Sequence, residues 1–258
     1  MKGFSCYYLL MALLSLLAGS YFLPGRGGAA QSIPGGTHYL RDLTITASFL
    51  PADFTPDGNL SKKAWTNAPH VMIDHDRFGK IAFPDSEAQV SSLWTPHYLY
   101  LAYRCRYRAL NTYPGDSLKE RPGICDRDVV EAFIDPQPEG FTHYYEYEIA
   151  PNNQWWDLEI DLTHPQFTND KWDSHFEHVC KIDEQNKIWV VEMRIPVASM
   201  KVEAIHPGDQ WRLNFYRCEG PGKGDDPGRR FMSWSPLPPG RNGSYHQPAC
   251  FGIIKFVK

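Results

Sequence analysis

Short runs of aromatic and β-branched residues, each halted by a cluster of proline, glycine, asparagine or aspartate, recur along this chain and leave little scope for any architecture but sheet. Residues 98–105 are rich in β-formers and turn polar at their end. Residues 128–135 alternate, with Val130, Ala132 and Ile134 on one face and Val129, Glu131 and Phe133 on the other, so a single carboxylate stands among apolar side chains. Further runs cover 144–150, 155–162, 187–195, 210–218 and 251–257. Helical signal is confined to 61–65, with Ser61 as a cap, and to a proline-opened turn at 196–200. Many short strands with long connections predict an all-β fold: an antiparallel β-sandwich of jelly-roll or immunoglobulin-like kind, with one or two short helical turns.

Charge and cysteine usage narrow the setting. The chain carries 26 Lys and Arg against 30 Asp and Glu, a net charge of −4, which disfavours a phosphate backbone and excludes nucleic acid as the expected partner. Residues 1–30 read as a secretory leader: Lys2 is followed by an apolar stretch from Tyr7 to Leu23, and small residues offer cleavage before Gln31, at Gly28-Ala29-Ala30, or earlier, after Ala18-Gly19-Ser20. The expectation is a secreted or periplasmic protein with no membrane association after cleavage. Residues 31–41 form a flexible lead-in, and 42–258 a single domain. Beyond the leader stand Cys105, Cys125, Cys180, Cys218 and Cys250, with no C-x-x-C pair to suggest a zinc ribbon. Cys105 closes one strand and Cys125 precedes its expected antiparallel partner, so Cys105–Cys125 and Cys218–Cys250 are the disulfide candidates.

The order of motifs resembles the family 9 carbohydrate-binding modules. Asp57-Gly58-Asn59-Leu60 with Ala64-Trp65 is similar to the family's opening, and Ser92-Leu93-Trp94 leads into Tyr98-Leu99-Tyr100-Leu101 as it does there. Then follow, in family order, 126–136 around Glu131, Tyr144-Tyr145-Glu146, and Trp189 with Val191, Glu192, Ile195 and Pro196. Pro207-Gly208 with Trp211 and Asn214, Ser233-Trp234-Ser235-Pro236, and His246 with Pro248, Phe251 and Gly252 complete the series. The resemblance implies a non-catalytic β-sandwich that binds a saccharide, the end of a plant-type polysaccharide in several relatives, often with bound calcium and in the company of glycoside hydrolases. No other cofactor is implied.

A pyranose has apolar C–H faces and a rim of hydroxyls, so its site needs aromatic plates and charged or amide hydrogen-bonders. Carried over residue by residue, the resemblance assigns the family's hydroxyl-binding carboxylate to Glu131. It gives the second clamping tryptophan to Tyr245, a smaller plate, and a hydroxyl-binding amide to Asn242. The first clamping tryptophan falls on Cys125, so that plate is missing. The family's Arg and Asn on the strand after the Tyr-Tyr-Glu motif fall on Glu148 and Ala150. Trp155 and Trp156 either point to opposite faces as neighbours on a strand, so that one leaves the core, or both lie in a loop; the one at the surface is a candidate for the missing plate. Trp65, Trp94, Trp189, Trp211 and Trp234 read as core.

Three further patterns bear on function. Asp157, Glu159 and Asp161 alternate onto one strand face, either a solvated row or the beginnings of a calcium site. Glu146 and Glu148 share a face at i, i+2, but no catalytic motif accompanies them, and a non-enzymatic role is expected. In a related sandwich lineage, the DOMON-type haem-binding domains, a Met pairs with a His or Lys on iron. His246 with Met193, Met200 or Met232 is the pair to inspect under that alternative.

Overall fold

A computed structural model describes residues 43–115, 119–137, 141–238 and 243–258. The leader, the lead-in and Asn242 lie outside the described residues. The first strands are β1 (Thr44–Phe49), β2 (His70–Ile73), β3 (Ala88–Thr95) and β4 (Tyr98–Arg106). Then come β5 (Val129–Asp135), β6 (His143–Ile149), β7 (Trp155–Asp161), β8 (Thr168–Asn169), β9 (Glu177–Asp183) and β10 (Ile188–Pro196). The chain closes with β11 (Gln210–Glu219), β12 (Arg230–Ser233) and β13 (Gly252–Val257). They join in one continuous sheet ordered β8-β7-β6-β5-β11-β13-β1-β3-β4-β10-β9, with β12 on β11 and β2 on β3.

The all-β expectation holds, with one difference in how the layers connect. The sheet curls into a half-barrel instead of splitting in two, and its seam is parallel: β1 pairs in parallel with both β13 and β3. All the other strand pairs are antiparallel. Curling brings Tyr103 of β4 against Phe215 of β11, ring centroids 5.9 Å apart, and its hydroxyl donates to the Glu131 carbonyl at 2.9 Å. Period-2 alternation fills the space between. Val130, Ala132 and Ile134 of β5 face inward with Tyr145 and Tyr147 of β6, and meet Leu101 of β4 and Val191 of β10. Each fully buried side chain of this size contributes about 1.5–3 kcal/mol, so this interior dominates stability.

Most of the ordered motifs turn out to be braces. The buried Glu192 carboxylate accepts the backbone N–H groups of Asp57 and Gly58 at 2.7 and 2.8 Å, the Lys62 ammonium at 2.6 Å and the Trp65 indole N–H at 2.7 Å. That one side chain explains why the Asp-Gly opening, the tryptophan and the Glu192 strand occur together. Asn214 likewise satisfies all its amide valences, donating to Tyr216 and the Ser235 carbonyl and accepting from the Phe215 and Ser235 N–H groups. Gly252 is required because a Cβ there would lie 2.4 Å from the Trp234 ring. Trp65, Trp94, Trp189, Trp211 and Trp234 are all buried, as their motif positions imply.

Some local expectations need correction. Helix α1 spans Lys63–Thr66 and has no side-chain cap, because the Ser61 hydroxyl donates to Asn59 instead. The proline-opened turn is present as a 3-10 helix, Val197–Met200. The cysteines at 105, 125, 180, 218 and 250 are thiols, so neither proposed disulfide is formed. Its premise fails structurally: β4 pairs with β3 and β10, not with β5. Cys105 is buried in the inter-layer core, whereas Cys125 belongs to a second apolar cluster on the outer face of the sheet. Cys218 and Cys250 both belong to that outer cluster, yet Cys218 directs its sulfur to Glu131 and not to Cys250.

Candidate functional site

The half of the sheet formed by β11, β5, β6 and β7 turns its outer face toward a cavity of about 460 Å³. Register builds that face. Glu131 of β5 lies opposite Glu148 of β6, which lies opposite Trp156 of β7; one step along, Phe133, Glu146 and Leu158 form the next row. All six line the cavity. The 165–171 connection, with Phe167 at its centre, and the 243–246 segment, with Tyr245 and His246, supply the facing walls.

Three sequence-selected residues therefore converge on one cavity: Glu131, Trp156 and Tyr245. The carboxylate and the phenol are close, because the Cys218 sulfur sits 3.3 Å from Glu131 Oε1 and 4.0 Å from the Tyr245 hydroxyl. Tyr245 stacks on Tyr216 at 4.0 Å between centroids with 14° between planes, so one of its ring faces is already covered. Both aromatics are walls of an enclosed pocket rather than open plates, Trp156 being 3% exposed and Tyr245 7%. Trp155 goes the other way. Face alternation sends it toward the inter-layer core, where it meets Phe176 edge-on at 5.5 Å, and it does not line the cavity. Cys125, at the position of the absent tryptophan, does line it.

The cavity is electrostatically unusual. Burial, followed by the neighbouring Glu148 charge, pushes the Glu131 carboxyl well above the ordinary range, against a smaller opposing pull from Arg229. Burial and then the Glu146 charge do the same to Glu148. His246 is pushed down to about 4 by burial and is neutral at physiological pH. The Tyr144 hydroxyl, which burial keeps protonated, shares a hydrogen bond of 2.5 Å with His246 Nδ1, and the imidazole tautomer sets which of the two donates. Residues 165–171 and His246 were not selected as binding residues from sequence; a connection without periodicity gives no sign of which wall it forms.

Other sequence candidates do not assemble. Asp157 is buried and accepts the Ser174 N–H at 2.8 Å. Glu159 pairs with Lys201 at 2.7 Å, and Asp161 accepts from Thr163 at 2.9 Å. The acidic row is thus neither uniformly solvated nor pooled on one centre. Among the described residues no group of three or more His, Cys, Asp or Glu side chains is arranged to hold a metal ion. Met193, Met200 and Met232 are all in the inter-layer core, on the other side of the sheet from the His246 cavity, so the haem-ligand pairing has no geometric basis.

A curled β-sheet bearing an aromatic, carboxylate-lined pocket on its outer face defines a small-ligand binding module. The chain belongs to the carbohydrate family 9 binding domain-like family, whose model matches residues 57–258, and that family is one of non-catalytic binding modules. Solved structures agree on the fold. A Bacteroides uniformis protein of proposed carbohydrate-binding function aligns with TM-score 0.62 at 18% identity, over 83% of this chain and 98% of its own. A family 9 carbohydrate-binding module from Caldicellulosiruptor kristjanssonii aligns in its glucose complex with TM-score 0.58 at 18% identity, over 83% and 95%. Its cellotriose complex aligns with TM-score 0.59 at 18% identity, over 83% and 93%. None of the functionally curated proteins compared with the chain matches it.

Proposed function

We propose that this protein binds a saccharide, without chemistry on it, in the outer-face cavity. The observation that carries the reading is the convergence of Glu131, Trp156 and Tyr245 on one pocket of a size suited to a small ligand. Trp156 and Tyr245 present C–H-binding ring surface, Glu131 accepts from a hydroxyl, and the neutral His246 hydrogen-bonds another. Asn242, three residues before Tyr245 in the family's motif, is assigned a hydroxyl contact on that ground alone. Family membership and the sugars bound by the Caldicellulosiruptor module support the ligand class. The leader motif supports export to a secreted or periplasmic setting, where the module serves enzymes that degrade polysaccharide.

A glycan array followed by calorimetry on the full chain tests this. Glu131→Gln and Tyr245→Ala each lower saccharide affinity by about tenfold, the loss of roughly one hydrogen bond or one stacking surface. Unchanged affinity in both variants, with native thermal unfolding, sinks the site assignment. N-terminal sequencing of exported material should begin at Gln31.

A further inference from the structure

The cavity holds more buried carboxyl groups than a neutral sugar calls for. Glu131, Glu146 and Glu148 all line it and are 2%, 3% and 2% exposed. Strand alternation sets Glu146 and Glu148 on the same face of β6, and register sets Glu131 beside Glu148. Glu131 Oε1 receives only a thiol, a weak donor. The Cys125 backbone N–H serves Glu148 and the Glu146 carboxyl is within hydrogen-bond reach of it, yet Glu148 Oε2, cut off from solvent, has no hydrogen-bond partner among the described residues. A buried, unmet carboxylate oxygen costs about 1–3 kcal/mol or more, and such a cost persists where a ligand group meets it.

Among the described residues counter-charge is thin. Arg229 acts on Glu131, but one of its terminal nitrogens is committed to the carbonyls of Cys125 and Arg127, each at 2.9 Å. Arg77 lays its guanidinium over the Phe231 ring at 4.8 Å. Lys171 is exposed and stands with two exposed acids, Asp170 and Asp225, in the cavity lining. His246 contributes no charge.

We propose that the cavity takes a cationic sugar, an amino sugar whose ammonium lies against Glu148 and Glu131 and beside the ring surfaces of Trp156 and Phe133. This rests on the saccharide reading and adds the charge of the ligand to it. Hydroxyls leave buried carboxyls protonated; an ammonium ionises them and then supplies both the donors and the counter-charge, and aromatic faces favour it further. An N-acetylated amine supplies neither the charge nor the compact donor head.

Three trisaccharides with one backbone and different groups at C2 test the inference: β-1,4-linked glucosamine, its N-acetylated form and cellotriose. Calorimetry on the full chain at about pH 6, where an amine keeps its charge, should find the glucosamine trimer bound about tenfold or more tighter than either neutral trimer. Repeating it in buffers of different ionisation enthalpy should show protons released on binding the amine trimer and none on binding cellotriose, because the ammonium ionises carboxyls that burial keeps protonated. Glu148→Gln should lower the amine trimer's affinity about tenfold and hold cellotriose within about threefold. The proton-release measurement uses the native chain and stands even if that variant fails to fold. Cellotriose binding as tightly as the amine trimer overturns the charge inference and leaves saccharide binding intact. Amine binding without proton release, or unchanged in a folded Glu148→Gln, overturns it as well. No binding by any trimer overturns both readings.

Discussion

Replacing Glu192 by alanine should be among the most damaging single changes in this protein, although it touches nothing in the cavity. The carboxylate is fully buried and serves four donors: two backbone N–H groups, the Lys62 ammonium and the Trp65 indole. Each hydrogen bond to a charged acceptor is worth about 1.5–3 kcal/mol, but four donors on one carboxylate are not additive. Removing one member of a buried ion pair costs about 3–5 kcal/mol, and here three neutral donors lose their acceptor as well. The expected loss is about 4 kcal/mol, which for a domain of this size lowers the melting temperature by about 8–16 °C. Urea unfolding followed by tryptophan fluorescence measures it. Trp65→Phe, which deletes one donor, should cost about 2 kcal/mol alone and much less in the Glu192→Ala background. A cost below about 1 kcal/mol for Glu192→Ala would show that the opening motif is not held by this carboxylate.

Three smaller changes follow from other contacts. Burial pushes the Asp128 carboxyl up to about 6 against the pull of the Asn111 and Gly220 N–H groups. A raised carboxyl gives stability that is complete below its unfolded value and lost as pH rises through the folded one. The stability of the native chain relative to Asp128→Asn should therefore fall by up to about 3 kcal/mol between about pH 4 and pH 7 in denaturant titrations. Gly252→Ala sets a methyl against the Trp234 ring and the Leu43 carbonyl, 2.4 and 2.6 Å away, and should cost about 1–3 kcal/mol by the same assay. Alkylation of the unfolded chain without reductant should label Cys105, Cys125, Cys180, Cys218 and Cys250 in the mass spectrum. In the native state Cys105, buried and pushed up to about 11, should resist.

Period-2 alternation made much of this molecule legible in advance. It placed Glu131 opposite in sense to Val130 and Ala132, and it separated Trp156 from Trp155, though not which of the two would reach the cavity. Register was not legible. Glu146 and Glu148 could be placed on a common face, but that this face meets Glu131 and Trp156 depends on which strands pair and where, and long-range pairing leaves no local trace. The same gap misplaced Cys105: its strand chose β3 and β10 as neighbours, so proximity in sequence to the next strand meant nothing. β9 escaped notice because an edge strand, its residues half-buried or exposed, has no apolar alternation to show.

The parallel seam has a consequence for how the chain is made. Thr44 sits beside Ile253, a partner about two hundred residues further along, and β13 also borders β11. Until that late segment emerges from the ribosome, the two flanks of the half-barrel share no backbone bridge through β1 and β11, and both present raw strand edges. Such distant closure slows assembly and invites wrong partners. A nascent chain of this design should rely on helper proteins to shield those edges until β13 is in place.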